Sequence, residues 1–376
     1  MANAERILIV GAGIGGLAAA VALRRRGFAP DLLERSRDWR ASGTGLGVLA
    51  NGMRALHALG LDSAVEQAGT VMRHWKSCDS QGELLCDTDL DELWDGVGRC
   101  VGIDRGTLLG VLRAAAAGVP ARLGIALTGL RPAADSVTVE LSDGSQAEYY
   151  LVIGADGIHS TVRQLAFGGP APRYAGQVVW RSVSTAFQSG LDGMHVVMGD
   201  GRFFGLLPVG RRRTYGFGGL DAAEAWRDPL EGRLERVRRC FASLGGPVPE
   251  FLAGLECDEQ VRFDALEWVD AERWLAGRVL LIGDAAHAGP PHMGQGACMA
   301  MEDAVVLAEL LAEADTVEDA GSAFVTRRRP RADWVQAQSR AALQFWLLPP
   351  ATRDAALRSR GDEAMRVRYA PLRPPP

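Results

Sequence analysis

Lysine is nearly absent from this chain. Of 41 basic residues in 376, only Lys76 is a lysine. Imine chemistry on an amine would rest on that residue alone, and Arg73-His74-Trp75-Lys76-Ser77 shows no sign of a desolvated pocket. No Cys-x-x-Cys pair occurs among the six cysteines at 78, 86, 100, 240, 257 and 298. They read as small buried hydrophobes in a reducing compartment. The six histidines lack metal-ligand spacing, so no metal centre is expected. No apolar run is long enough to span a membrane, and the N-terminus does not look like a signal peptide. A cytoplasmic location is the expectation. Positive charge is not in excess: the net charge is −5, which gives a nucleic-acid role no support. The arginine runs at 24–26, 211–213 and 327–329 read as solvated faces.

What is present is punctuated apolar strands. Arg278-Val279-Leu280-Leu281-Ile282 runs into Gly283-Asp284-Ala285-Ala286-His287. A Pro- and Gly-rich loop follows, Pro290-Pro291-His292-Met293-Gly294-Gln295-Gly296-Ala297, and then a helix expected over 294–312. Ile7 to Val10 runs into Gly11-Ala12-Gly13-Ile14-Gly15-Gly16. Leu151-Val152-Ile153 runs into Gly154-Ala155-Asp156-Gly157. Three buried parallel strands delivering Gly or Asp to one edge imply one ligand held by distant parts of the chain. The unpaired N–H groups at a helix start there favour an anion.

The first of these is a complete βαβ unit: a helix at 15–26, stopped by Gly27, then a strand at 31–35 ending in Glu34. A carboxylate about 20 residues beyond the glycines suits a ribose hydroxyl. With no arginine in its place, the adenosine bound should carry a free 2′-hydroxyl, as in FAD or NAD. No second glycine fingerprint occurs. Residues 136–152 read as a hairpin feeding the Asp156 strand. Short alternating strands at 178–187, 195–198, 203–208 and 214–218 suggest a separate antiparallel sheet layer. A further helix is expected at about 320–347, perturbed at Pro330, before an irregular Pro-rich tail at 371–376. The chain thus divides into a discontinuous nucleotide domain (1–70, 100–170 and 271–330), a substrate domain (71–99 and 171–270) and a C-terminal helical segment and tail (331–376). The space between the layers is the default substrate pocket.

These segments, in this order, resemble the FAD-dependent aromatic hydroxylases of the p-hydroxybenzoate hydroxylase family. Gly11-x-Gly13-x-x-Gly16 with Glu34 is similar to the ADP-binding fingerprint, Asp156-Gly157 to the DG motif, and Gly283-Asp284 with Pro291-x-x-Gly294-Gln295-Gly296 to the GD motif, which Glu302-Asp303 continues. Length and motif content are most similar to the short members: salicylate, 3-hydroxybenzoate and FAD-dependent urate hydroxylases. The resemblance implies an α/β fold, a Rossmann-like FAD-binding domain with an antiparallel β-sheet substrate domain and C-terminal helices. It implies an enzyme in which NADH or NADPH, bound transiently, reduces FAD. Oxygen then adds at C4a, and the hydroperoxide hydroxylates an aromatic or heteroaromatic small molecule. A monomer or homodimer is expected.

The cofactor residues so implied are Gly11, Gly13, Ile14, Gly15, Gly16, Glu34, Arg35, Arg105, Leu127, Asp156, Asp284, Pro291, Gly294, Gln295, Gly296 and Ala297. Leu127 falls where the family makes a backbone contact to adenine. On the substrate side, Arg202 and Tyr215 fall near an activating Arg–Tyr pair of the urate hydroxylases, against a plain reading as a surface arginine and a packed tyrosine. Trp180-Arg181 is a second candidate pair. Pro291 would flank the flavin ring. His292 would either face the substrate as a proton shuttle near neutral pH or sit exposed in its loop. Glycines 43, 45 and 47 would give a neighbouring loop freedom to move with the flavin. Two alternatives stay open: the same fold performing epoxidation, Baeyer–Villiger insertion or polyketide and antibiotic modification, or a flavin-binding redox sensor without turnover.

Overall fold

The computed structural model describes residues 6–39, 44–187 and 190–376. Ile7–Val10 is wholly buried and apolar, so it can be covered on both faces, as a central parallel strand must be. Leu151–Gly154 and Pro30–Glu34 flank it, both parallel. Val279–Leu281 extends the sheet on one side and Ala121–Leu123 on the other, with the short antiparallel Leu275–Ala276 at the edge. This order sets the three Gly/Asp-tipped strands next to each other, with their C-terminal ends at one edge.

The helix Ile14–Arg25 leaves that edge, and two glycines make the turn possible. Gly11 has φ +102°, and a Cβ there would lie 2.5 Å from the Ala155 carbonyl oxygen. A Cβ on Gly16 would lie 1.8 Å from the carbonyl oxygen of Gly11. Gly16 is therefore a packing residue that lets helix and strand close on each other.

The second large sheet has seven strands in the order Val261–Trp268, Arg173–Ser184, Thr214–Asp221, Arg202–Pro208, Gly193–Met198, His74–Cys78 and Leu84–Asp89. It is antiparallel, as expected, apart from one pair: Gly193–Met198 runs parallel to His74–Cys78. No hairpin joins those two strands. The chain returns only after a long excursion through the nucleotide sheet, so either direction was open. Both faces of this sheet are covered. Val178, Trp180, Phe204 and Leu206 pack on the helices Arg233–Phe241 and Val248–Ala253. Val179, Arg181, Phe203, Leu207, Tyr215 and Phe217 point the other way, into a cavity beside the nucleotide sheet.

The helix Val317–Trp346 runs through Pro330 without interruption. A further helix, Pro350–Tyr369, follows; its weak amphipathic pattern gave no signal in the sequence. Beyond the short 3-10 turn Ala370–Leu372 the Pro-rich end is irregular, but it is held. Arg54 Nη1 donates to the Arg373 carbonyl at 2.6 Å, and Arg331 donates to those of Pro371 and Leu372, each at 2.8 Å.

The expectation of a solvated face at 327–329 fails at Arg328, which is fully buried. Its Nε donates to Asp303 at 2.7 Å and its Nη1 to Glu302 at 2.9 Å. Asp303 also accepts from the Gly283 N–H at 2.9 Å and lies 2.7 Å from His287 Nε2. Burial by itself would raise the Asp303 carboxyl, but His287 and Arg328 hold it well below the usual carboxylate range.

Removing one partner of such a buried pair strands the other charge. Arg328→Ala is expected to cost about 3–5 kcal/mol of stability, read from denaturant unfolding, and the similarly sized Arg328→Met less. Because Asp303 is depressed in the folded state, its contribution is complete above the unfolded carboxyl value of about 3.9 and is lost as pH falls below it. Unfolding midpoints taken from pH 7 down to 3 should fall less steeply in Asp303→Asn than in the wild type.

Candidate active site

Two joined depressions run along the strand ends. The first, about 720 Å³ including space open to solvent, is lined by Gly11, Gly13, Glu34, Arg35, Leu127, Asp156 and Gly157 among others. The second, about 1710 Å³ on the same basis, takes in Ile14, Gly15, Arg105, Asp284, Pro291 and the backbone from Gly294 to Ala297. Gly13, Ala155 and Gly157 belong to both. A Cβ added at Gly13, Gly157 or Gly294 would meet nothing within 4 Å, so these glycines leave a backbone cradle open to a ligand. Gly13 precedes the first turn of Ile14–Arg25, where unpaired N–H groups suit a pyrophosphate.

Glu34 is fixed from both sides. Its carboxylate accepts from the Ala12 N–H at 3.0 Å and the Ser36 N–H at 2.8 Å. Asp156 accepts from the Thr161 and Val162 N–H groups at 2.7 and 3.1 Å, tying the groove wall to the helix Thr161–Phe167; burial raises its carboxyl. Arg163, buried behind it, donates to the carbonyls of Ala285 at 2.9 Å and Ile158 at 2.6 Å, locking the Asp156 and Asp284 segments together. Asp284 opens onto the groove, walled by protein that raises its carboxyl, with His287 and Arg105 opposing.

The expected cofactor residues thus come together along one continuous groove, except Gly16, which packs behind it. Gln295 contributes backbone only. Its side chain turns inward and exchanges hydrogen bonds with Asn51 at 2.9 and 3.1 Å. Asn51 in turn donates to Glu302 at 3.1 Å. Arrangement and chemistry fit a flavin dinucleotide: a pyrophosphate cradle, a ribose carboxylate, and a Pro- and Gly-rich loop for the ring.

Beyond that loop the second cavity becomes mostly apolar: Trp75, Met194, Val196, Phe203, Leu207, Phe217, Leu266 and Trp346. Arg181 and Tyr215 stand on the same face of neighbouring strands in this wall, and Arg181 pairs with Asp264. Burial, partly offset by Arg181, pushes the Tyr215 phenol up to about 12.

Arg202 does not belong here. It shares the strand parity of Phe204 and Leu206, so it points to the far face and donates to the Cys240 carbonyl at 2.6 Å. Tyr215 is opposite Leu207, five residues along that strand from Arg202. Of the alternative pair, Trp180 also faces away, donating to Asp228 at 2.8 Å, and only Arg181 reaches the cavity. Pro291 lines the cavity at the loop. His292 lines it too and is buried, which overturns the exposed-loop reading. Burial lowers its imidazole to about 3, which leaves the ring neutral near pH 7. Gly45 and Gly47 lie in a strand, Gly45–Val48, paired with Cys100–Asp104. A Cβ on Gly45 would come within 2.5 Å of Tyr215, so its role is close approach; Gly43 lies outside the described residues.

Sequence reasoning missed Arg328, although its signal was present. Val317, Ala320, Phe324, Arg328, Ala332 and Val335 follow helical spacing, and Arg328 sits on that buried stripe.

Comparison with known proteins places these features in a family. The family described as FAD binding domain matches residues 5–339. The aurachin C monooxygenase/isomerase of Stigmatella aurantiaca is 36% identical over 307 residues, covering 81% of this chain and 80% of that protein. The 2-heptyl-3-hydroxy-4(1H)-quinolone synthase of Mycobacteroides abscessus is 34% identical over 343 residues, covering 88% of each. The crystal structure of Klebsiella pneumoniae HpxO complexed with FAD and uric acid superposes with a TM-score of 0.88 at 27% identity, covering 99% of this chain and 97% of that one.

The purified protein should be yellow. Glu34→Ala and Asp284→Ala should each weaken FAD retention about tenfold. The ratio of flavin to protein absorbance after dialysis measures it. Arg202→Ala should leave the ratio unchanged.

Proposed function

The chain belongs to the FAD binding domain family, whose relatives include FAD-dependent monooxygenases and hydroxylases, and on that premise we propose that it hydroxylates an aromatic or heteroaromatic small molecule. NADH or NADPH is the electron donor and dioxygen the oxidant. One oxygen atom enters the ring, the other leaves as water, and two electrons come from the nicotinamide. FAD, when bound, supplies the reduced flavin that activates the oxygen.

The observation that carries this reading is Arg181 beside Tyr215 in an apolar wall that faces the flavin loop. A ring becomes more nucleophilic when a hydroxyl or enol on it gives up its proton. The resulting oxyanion would take a hydrogen bond from Tyr215, which remains protonated, and charge from the Arg181 guanidinium. Both act more strongly away from water. Arg181 is itself held in place by Asp264, so little reorganisation accompanies the charge. The rest of that wall, with Trp75, Met194, Val196, Phe203 and Trp346, suits an apolar body or substituent. Kinship with a quinolone synthase supports a bicyclic heteroaromatic ring. Among the described residues, only one strand–glycine–helix unit of the dinucleotide type is present, the one at 7–34, and it serves FAD. The reductant therefore approaches the flavin transiently, without a nucleotide fold of its own.

Substrate should stimulate NAD(P)H oxidation. In Arg181→Ala the ratio of product to NAD(P)H consumed should fall by about tenfold or more, with peroxide replacing product and FAD content retained. Tyr215→Phe should cost less, because it removes one hydrogen bond and keeps the packing. An unchanged ratio in Arg181→Ala would reject this assignment. Absence of stimulation by any of a panel of phenols, quinolones and purines would reject hydroxylation itself.

A further inference from the structure

The loop beside the flavin groove is held from behind by the last long helix of the chain. Pro291–Met293 is a 3-10 turn, closed where the Gly294 N–H donates to the Pro291 carbonyl at 2.8 Å. Gly294 follows at φ +61°, which reverses the backbone and leads into the helix Gly296–Glu313. The first N–H groups of that helix have no intrahelical partner, and Gly296 and Ala297 border the cavity. Their aim therefore depends on the peptide that joins Met293 to Gly294. Its carbonyl accepts from the Tyr369 hydroxyl at 2.9 Å. Both residues are buried, so bulk water cannot replace that bond. The bond also polarises the peptide, which makes the Gly294 N–H a stronger donor and tightens the turn. Tyr369 has little freedom of its own. Its ring lies between Trp75, 6.4 Å away by centroids, and Trp94, 5.7 Å away. At the other end of its helix, buried Arg353 donates to the Gly199 and Met198 carbonyls at 2.6 and 3.1 Å. In its last turn the Arg368 carbonyl accepts from Trp334 Nε1 at 3.1 Å. Burial pushes the Tyr369 phenol up, against the opposing charge of Arg368, so the hydroxyl remains a donor at neutral pH.

We infer that Tyr369 is a positioning residue for the flavin: its hydrogen bond to the Met293 carbonyl fixes the turn that aims the N–H groups of Gly296 and Ala297 into the groove. It touches neither cofactor nor substrate and acts through the loop backbone. N–H groups at a helix start favour an anion over a neutral ring. A ring that gains negative charge on reduction therefore depends on their alignment more when reduced than when oxidised. Without the hydroxyl, the buried Met293 carbonyl has no donor, and the turn relieves that cost by rotating the peptide. The consequence is a lower flavin potential rather than a lost cofactor, because the groove at Gly13, Glu34 and Asp156 belongs to other strand ends. This rests on the groove as a flavin site, which fails separately if the wild type takes up no FAD.

The test uses the FAD-loaded full chain and reads the two-electron midpoint potential of the bound flavin against a reference dye, with no substrate and no turnover. Tyr369→Phe keeps the ring and removes only the hydroxyl. The reduced ring should then be held about tenfold less tightly relative to the oxidised one, which is a potential about 30 mV lower, with FAD content retained. Trp334→Phe takes a hydrogen bond from the same last turn and leaves the Met293 carbonyl alone. It should lower the unfolding midpoint and leave the potential unchanged. A fluorotyrosine placed at residue 369 keeps the packing and makes the hydroxyl a stronger donor. It should move the potential upward, and it decides the matter if Tyr369→Phe does not fold. A potential unmoved by both changes at residue 369, or moved as far by Trp334→Phe as by Tyr369→Phe, would overturn the proposal. None of these outcomes touches the hydroxylase reading, which fails separately if no aromatic compound stimulates NAD(P)H oxidation.

Discussion

An arginine with no access to water ties the cofactor loop to the helices behind it. Arg328 spans Glu302 and Asp303, and Asp303 reaches forward to the Gly283 N–H and to His287. Glu302 reaches sideways to Arg331 and to Asn51, and Asn51 holds the Gln295 side chain. Isolated charges at such depth would be prohibitive. They persist because each carboxylate here is met by several donors at good distances. The loop that would face the flavin ring therefore contributes mainly backbone, with its Gln295 side chain committed to this network and its His292 side chain turned to Gln177. A site made of backbone has few adjustable torsions, which suits a cofactor that must be held in one place while substrates vary.

The substrate wall follows a different logic. It is built mainly on one face of a sheet, and its polar groups are few: Arg181 and Tyr215 on the sheet and His292 from the loop beside it. Each is supported from outside the cavity, by Asp264, by the close approach of Gly45, and by Gln177. Arg105, at the junction of the two regions, feels Arg181 as well as Asp284. Positive charge thus collects where cofactor and substrate cavities meet, and apolar rings fill the rest.

How much of this the sequence reveals depends on whether the signal is local. The glycine fingerprint, Glu34, the Asp156 turn and the 283–297 loop are contiguous stretches whose backbone demands can be read residue by residue, and they assemble along one groove. Arg202 could not be placed because alternation carries no information in a strand with apolar residues on both faces. Phe203 and Phe204 look alike in sequence and point in opposite directions. His292 could not be placed either, since its burial depends on Trp346 and Phe203 from remote segments. Arg328 was legible by helical period, and the charge itself masked the stripe. The helix Pro350–Tyr369 has too little apolar patterning to announce itself, and its end is fixed by tertiary contacts such as the Tyr369 hydroxyl on the Met293 carbonyl, 2.9 Å.

The strand order also has a consequence for how the chain comes to be folded. The central strand at residues 7–10 leaves a ribosome first, yet one of its neighbours is at 151–154, and the strand beyond that is at 279–281. The seven-stranded sheet is interleaved in the same way, with 74–78 waiting for 193–198. Neither sheet can close from local contacts, so loop-closure entropy is spent before long-range pairing returns it. Until some 280 residues have emerged, apolar strands such as Ile7–Val10 lack part of their cover, and Asp303 and Arg328 come later still. Long-range pairing of this kind is intrinsically slow, and it leaves strand edges unpaired until the later segments arrive.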